Sequence, residues 1–422
     1  MAGCCCSCFG FLWKHPHRPA AGDSDGAPSK DLLLPLPRSS DDGSFYAGDD
    51  PDNSSSFLGD DSRSFYEREE EDYLLRQSDG DGDDEPPRKR SEDIILSRAR
   101  NGFACRDSLV RDTRKLFRSE VPPSLQLITT TDNSVFISPM IGAGSYGKVV
   151  KYRNIKDGRL YAIKVFSKPY MLKVRVVRSE TAMTDVLREV SLMKMLDHPN
   201  IVNLIEVIDD PNTDKFYMVL EFVEGKMVCN NGIGLGEATS RKYLRDIVSG
   251  VMYLHSHNII HGDIKPDNLL VTSTGNVKIG DFSVSQIFED DDDMLWRSPG
   301  TPVFTAPECC QGSAYHGRTA DTWAVGVTLY CMITGKYPFL GETLQETYDK
   351  IANDPLEIPG DTSPQLADLM QRLLYKDPGD RMTLQAAAAH PWIAGAEGPV
   401  PEFVCRCGFG RRNRNDSQEA VQ

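Results

Sequence analysis

Eight residues, His261-Gly262-Asp263-Ile264-Lys265-Pro266-Asp267-Asn268, followed thirteen positions after Asn268 by Asp281-Phe282-Ser283, constrain this chain more than anything else in it. They set a carboxylate, an ammonium group and an amide within one short loop, and a second carboxylate in fixed register beyond it. A polar turn ahead of a strand would account for the loop alone, but not for its spacing to Asp281. In phosphoryl transfer such groups have separate tasks. Asp263 would accept the proton of an attacking hydroxyl or orient that hydroxyl, and Lys265 would neutralise the transferring phosphate. Asn268 and Asp281 would offer oxygens to Mg²⁺, a hard cation that needs few protein ligands where phosphates supply the rest.

Two upstream elements complete the set. Ile141-Gly142-Ala143-Gly144-Ser145-Tyr146-Gly147-Lys148-Val149-Val150 has the spacing G-x-G-x-x-G-x-V between two strand-like runs. Glycines let a hairpin backbone approach phosphates closely with its N–H groups facing them. The chain leaves this loop as a strand instead of a helix, which argues against a dinucleotide-binding fold. Seventeen residues past Gly147, Lys164 sits inside the apolar run Tyr161-Ala162-Ile163-Lys164-Val165. Alone it reads equally as an edge lysine reaching solvent. In this order it reads as the cation for the α- and β-phosphates of ATP, fixed by Glu189 from the following helix. The expected nucleotide-binding residues are therefore Ile141 to Val149, Lys164 and Glu189, with Glu221 and Val223 at the end of the run beginning at Phe216.

The order of elements points to a fold. Strand-like runs span Val135 to Ile141, Lys148 to Arg153, Tyr161 to Phe166, Val202 to Ile208 and Phe216 to Phe222, with a helical stretch from Thr184 to Leu196. Beyond Ala238 the pattern is mostly helical to Trp392. The expected class is α+β and bilobal, a small five-stranded β lobe with one main helix and a larger helical lobe, over residues 134–393. Residues 86–133 read as a linker with a short helix, Ser91 as its N-cap and Ile94, Ile95 and Leu96 docking on the domain. Residues 1–85 read as a disordered arm and 394–422 as a flexible tail.

The formal charge of −15 belongs to the arm, since residues 21–85 hold 20 Asp and Glu against 5 Lys and Arg, and the rest holds 42 of each sign. No folded surface built for a cationic ligand follows from it, and no direct nucleic-acid contact is expected. The 11 cysteines fall in terminal clusters (Cys4, Cys5, Cys6 and Cys8; Cys405 and Cys407) and scattered singles, not in a disulfide framework. With no secretory signal and no apolar run near ~20 residues, the expected location is intracellular, in cytoplasm, nucleus or both. Pro87-Arg88-Lys89-Arg90 reads as a nuclear address or simply a charged linker. Membrane contact is expected only if the cysteines beside Phe9, Phe11, Leu12 and Trp13 are S-acylated, because Ala2 excludes N-myristoylation.

Further downstream, Ala306-Pro307-Glu308, Asp321-Thr322-Trp323-Ala324-Val325-Gly326 and Asp377-Pro378-Gly379-Asp380-Arg381 resemble segments of protein kinases. The resemblance implies that Glu308 pairs with Arg381 and that Asp321 holds the catalytic-loop backbone. Lys265, with Thr305 just before Ala306, resembles the serine/threonine-specific pattern. Two positions depart from it: Gly262 stands for the usual Arg, and Ser283 for the usual Gly. That Arg ordinarily binds a phosphorylated activation-loop residue, so loop order here is expected not to rest on such a phosphate. The run Glu289-Asp290-Asp291-Asp292-Asp293 either docks to order the loop or is solvated. A pseudokinase acting as a scaffold is the main rival, although neither departure touches ATP, metal or the proton.

Closer still, Ser179-Glu180-Thr181-Ala182-Met183, the stretch His198 to Asp210, Gly280 to Gln286 and Ser298-Pro299-Gly300-Thr301-Pro302 resemble the plant geminivirus Rep-interacting kinases, relatives of the calcium/calmodulin-dependent protein kinase kinases. The resemblance implies an upstream kinase whose substrate is the activation-loop threonine of a sucrose-non-fermenting-related kinase catalytic subunit, and binding of a geminivirus replication protein. A basic insert with Lys168, Lys173, Arg175 and Arg178 is either a docking site for an acidic partner or a solvated rim. No basic amphipathic helix follows Trp392, so calmodulin control is not expected. A phosphate on Ser179 or Thr181, at the start of the Glu189 helix, would meet unpaired N–H groups and activate; one on Ser285 would add charge beside Asp281 and inhibit.

Overall fold

A computed structural model describes residues 91–405 apart from 101–110, 113–139, 145–146, 154–158, 178–179, 210–212, 226, 230–231, 290–291, 297 and 299. The acidic arm, the N-terminal cysteines, Pro87 to Arg90, Ser145, Tyr146, Ser179, Arg178 and Cys407 lie outside the described residues.

The first elements are α1 (Ser91–Arg100), β1 (Arg111–Asp112), β2 (Met140–Gly144), β3 (Gly147–Arg153), β4 (Leu160–Ser167), α2 (Lys168–Lys173), β5 (Arg175–Val177), β6 (Glu180–Thr181), α3 (Ala182–Met193), β7 (Leu204–Asp209) and β8 (Lys215–Glu221). One sheet runs in the order β1-β7-β8-β4-β3-β2. Five strands were expected; a sixth comes from the linker, where Arg111 and Asp112 pair in parallel with Glu206 and Val207. Two residues carry no period, so such a strand leaves no mark on the hydrophobic pattern. Along β4 side chains alternate between faces. Ile163 and Val165 join Ile208, Tyr217 and Val219 in an outer cluster, while Phe166 and Ala162 pack into the main core. That alternation places Lys164 on the inner face.

Helix α3 buries Val186, Glu189, Val190 and Met193 at i, i+3 and i+4 spacing. Thr181 is its N-cap, in a capping box with Thr184. The same spacing that buries the apolar residues carries Glu189 inward. Ahead of it, α2 is anchored by buried Met171, and β5 pairs with β6.

The second lobe holds α4 (Glu237–Ser256), β9 (Ile259–Ile260), β10 (Leu269–Val271), β11 (Val277–Ile279), β12 (Gln286–Ile287), β13 (Met294–Leu295), β14 (Tyr315–His316), α5 (Gly317–Thr334), α6 (Leu344–Asn353), α7 (Pro364–Leu373), α8 (Leu384–Ala389) and α9 (Pro391–Ala394). Helix α5 is buried nearly all round, with Trp323, Val325, Val327, Leu329 and Met332 inaccessible. An all-round apolar helix is a core helix, and Gly335, left-handed at φ 70°, ends it. The short pairs β10–β11 and β9–β12 grip the loop from His261 to Asn268 from both sides.

Both flanking segments dock behind the lobes. In α1, Ile94 and Ile95 are buried as expected, while Ser91 is itself helical and the side chain of Leu96 lies outside the described set. At the other end Phe403 lies edge-on to His198 at 4.4 Å and to Tyr253 at 5.6 Å. Tyr253 in turn stacks on His198 and tilts against His257.

Candidate active site

Three elements bring three charges together between the lobes. Lys164 from β4 donates to Glu189 Oε1 of α3 at 2.8 Å and to Asp281 Oδ1 at 2.9 Å. Burial would lower the Lys164 pKa, but the charges of Asp281 and Glu189 outweigh it and hold the ammonium above its ordinary range. Burial raises Glu189 despite the lysine. Burial opposes the Asp281 charge, but the Lys164 ammonium outweighs it, with Lys265 adding to the effect, and the carboxyl is driven below its usual range. Asp281 is non-glycine yet left-handed, at φ 61°, a conformation that costs on the order of 1–3 kcal/mol and persists only where surroundings enforce it.

The catalytic loop is tied at each member. Asp263 Oδ2 accepts from Lys265 Nζ at 2.9 Å and from Asn268 Nδ2 at 2.9 Å. Asn268 Nδ2 also donates to the Asp263 carbonyl at 2.8 Å. Asp263 Oδ1 accepts from Thr301 N at 3.0 Å and Thr301 Oγ1 at 2.8 Å, and Lys265 reaches the same hydroxyl at 2.5 Å. Burial opposes the Lys265 charge, but Asp263 raises its pKa overall.

Thr301 is thus a residue that sequence reasoning missed. The serine/threonine-specific pattern marks Thr305 instead, whose hydroxyl only reaches the Thr301 carbonyl at 3.4 Å and which is buried away from Asp263. The signal lay in Gly300-Thr301-Pro302. A side chain on Gly300 would meet the Gly262 carbonyl at 2.4 Å, so glycine is needed there for the two loops to touch.

Asp321 of α5 supports the loop from below. Its carboxylate accepts from His261 N at 3.0 Å and Gly262 N at 2.9 Å, and meets His255 Nε2 at 2.9 Å. His261 packs edge-on against Phe282, 5.1 Å away. Gly262 is left-handed at φ 79°. A cavity opens beside it, lined by Val284, Thr301, Tyr315 and Ala320. Farther off, Glu308 and Arg381 form the expected ion pair, two-pronged at 2.6 and 2.8 Å.

In the glycine hairpin, β2 and β3 pair Gly144 with Gly147, and Ser145 and Tyr146, the residues between, lie outside the described set. Ile141, Gly142 and Ala143 are backbone members of β2, and Lys148 is exposed. Gly147 has a steric reason of its own, since a Cβ there would stand 2.4 Å from the Val165 carbonyl. Val149, buried at 5%, lies across from Lys164. Val223 is buried too. The Glu221 carboxylate is engaged: it accepts from Asn203 N at 2.8 Å and pairs with Lys278 at 2.8 Å, and the Glu221 N–H donates to the Asn203 carbonyl at 3.0 Å.

Of the regulatory candidates, Thr181 is the half-buried N-cap of α3. Ser285 is only 4% exposed, and its hydroxyl donates to the His261 carbonyl at 2.9 Å. No phosphate fits there while β9 and β12 remain paired. In the basic insert Lys168 is bound to Asp209 at 2.7 Å, and the insert turns Tyr170, Leu172 and Val176 outward. Within the acidic run, Asp293 is docked, not solvated. It is 5% exposed, accepts from Arg318 N at 2.9 Å and meets His316 Nδ1 at 2.8 Å.

A protein kinase domain model matches residues 137–393. With a paired lysine and glutamate, a tethered loop aspartate and a buried brace beneath it, the chain belongs to the protein kinases and is a serine/threonine protein kinase. Within that class it belongs with the geminivirus Rep-interacting kinases. It is 62% identical over 322 residues to serine/threonine-protein kinase GRIK1 of Arabidopsis thaliana, covering 76% of this chain and 80% of that relative. To GRIK2 of the same plant it is 61% identical over 338 residues, covering 79% and 82%. A calcium/calmodulin-dependent protein kinase kinase of Caenorhabditis elegans is 40% identical over 284 residues, 62% of this chain and 52% of that protein. Protein kinases use ATP and Mg²⁺. The donor set suits that pair: both amide hydrogens of Asn268 go to Asp263, which frees its oxygen, and Asp281 stays ionised. Among the described residues no helix is long and apolar enough to cross a membrane.

Proposed function

We propose that this kinase is an upstream activator that phosphorylates the activation-loop threonine of sucrose-non-fermenting-related kinases. The observation that carries the reading is the likeness to the Rep-interacting kinases across most of both chains. In this reading Asp263 orients the substrate hydroxyl and takes its proton, and Lys265 steadies the phosphoryl group in flight. Lys164, fixed by Glu189, holds the α- and β-phosphates, while the backbone of Gly142 to Gly147 covers them. Ile141, Val149 and Val223 are assigned to the adenine, with the backbone at Glu221. Asn268 and Asp281 would hold Mg²⁺, which when bound neutralises phosphate charge. Thr181 phosphate would extend the α3 cap, and Ser285 phosphate would part β12 from the catalytic loop. A viral replication protein is a further partner of the same reading.

The test is transfer from radiolabelled ATP to such a kinase, intact or with its activation-loop threonine changed to alanine. Labelling lost with the threonine supports the role; labelling that persists refutes it. Asp263→Ala distinguishes the scaffold alternative, which requires that the substitution change nothing.

A further inference from the structure

Helix α1 precedes the stretch matched by the kinase domain model, which begins at residue 137. It nevertheless packs against both α3 and β12. The first carries Glu189; the second begins five residues after Asp281. Ile94 and Ile95 enter the main core that also contains Val186 and Val190 of α3.

One turn on, and therefore on the same face, Arg98 is buried to 7% exposure. Its Nη1 donates to the His257 carbonyl at 2.6 Å and its Nη2 to the Phe288 carbonyl at 3.0 Å. Those carbonyls bracket the β9–β12 pair. His257 stands two residues before β9, which runs directly into His261, and Phe288 follows β12, which issues from Asp281-Phe282-Ser283. A guanidinium is a rigid planar fork that fits two acceptors at a fixed separation. Buried, it must keep both bonds or lose heavily, so it fixes the distance between the strand entering the catalytic loop and the strand leaving the metal-binding aspartate.

We propose that α1 is a brace for the catalytic arrangement and that Arg98 is its positioning residue. Arg98 clamps the catalytic-loop strand to the activation-segment strand, while Ile94 and Ile95 hold α3 against both. The Lys164–Glu189 pair and Asp281 then share one support lying outside the kinase domain itself. The inference rests on the roles given above to Glu189 and Asp281.

The test uses the full chain carrying Arg98→Ala or Arg98→Lys, read by steady-state kinetics and by hydrogen exchange. Loss of the fork is expected to lower kcat roughly tenfold, in the range by which coupling between packed elements changes, with KM for the protein substrate unmoved. Exchange should quicken in α3 and β12 and stay as in wild type in α7. Arg98→Lys, whose ammonium serves one carbonyl at a time, should fall between. If Arg98→Ala does not fold, Ile95→Ala thins the same anchor and is read the same way. Unchanged kcat and exchange, exchange quickened evenly through α4, α5 and α7, or a rise in kcat would each overturn the brace. A parallel Lys164→Met protein separates the two ideas. Full transfer by it would sink the nucleotide-site reading, whereas the exchange arm tests α1 without reference to turnover.

Discussion

Helix α5 lacks a cap of its own, since His316 at its N-cap position makes no capping bond through its side chain. Asp293, from the acidic run of the activation segment, supplies the missing acceptor to Arg318 N. Replacing Asp293 by alanine removes that acceptor and a negative charge at the positive end of the helix dipole. Capping residues are worth about 1 kcal/mol, and a carboxylate in the first turn about 0.3–1 kcal/mol more. The His316 contact adds little, because that ring is 60% exposed and screened. The sum, about 1–2 kcal/mol, means local opening becomes roughly 5–30 times more frequent. Hydrogen exchange of the Arg318 and Gly317 amides in phosphatase-treated protein reads this directly, with α7 as the internal standard. Asp293→Asn keeps an oxygen but not the charge, and should give a smaller increase. Equal protection in wild type and Asp293→Ala would refute the capping argument. So would protection in the wild type that vanishes on phosphatase treatment, since the segment would then depend on phosphate.

Thr301→Ala should lower kcat roughly tenfold by freeing Asp263, with Thr301→Ser near wild type and Thr305→Ala changed less than Thr301→Ala; kinetics showing the reverse order would restore Thr305 as the important threonine. Arg381→Ala strands Glu308 in a buried site and should cost about 3–5 kcal/mol, or a melting temperature lower by about 6–20 °C; calorimetry showing almost no shift would mean the pair is idle. His198 is held at a pKa of about 4 against 6.5, first by burial and then by Lys278 and His257. The unfolded chain therefore takes up the proton first, so stability present above pH 6.5 should fall as pH drops and be gone below about 4, by at most about 3 kcal/mol. His198→Asn should flatten that slope in denaturant melts, and parallel curves would show that His198 does not cause it.

The catalytic loop was legible in the sequence because phosphoryl transfer needs particular side chains a few residues apart, and Asp263, Lys265 and Asn268 meet that need locally. Lys164 and Glu189 were legible through order and period, one in an apolar strand and the other on the buried face of a helix. What escaped depends on contacts made across the fold. Thr301 reaches Asp263 from 38 residues away, and the glycine beside it marks a close approach without saying to which residue. Arg111 and Asp112 become strand only because β7 offers an open edge. Ser285 looks like any loop serine until its hydroxyl is seen on the His261 carbonyl. Glu221 is expected at the nucleotide, but that its carboxylate is engaged by Asn203 and Lys278 shows only in the folded chain. The docking of α1 was anticipated from its isoleucines, but not the reach of Arg98.

The aromatic group behind the lobes, with His198 and Tyr253 closed over by Phe403, has a consequence for biosynthesis. A ribosome delivers α1 before both lobes and Phe403 after them, and domains form as their chain emerges. The catalytic loop can therefore be threaded and braced while the rear aromatic stack is still open. Phe403 can close over that stack only after residue 403 has left the ribosome, ten residues beyond the stretch matched by the kinase domain model.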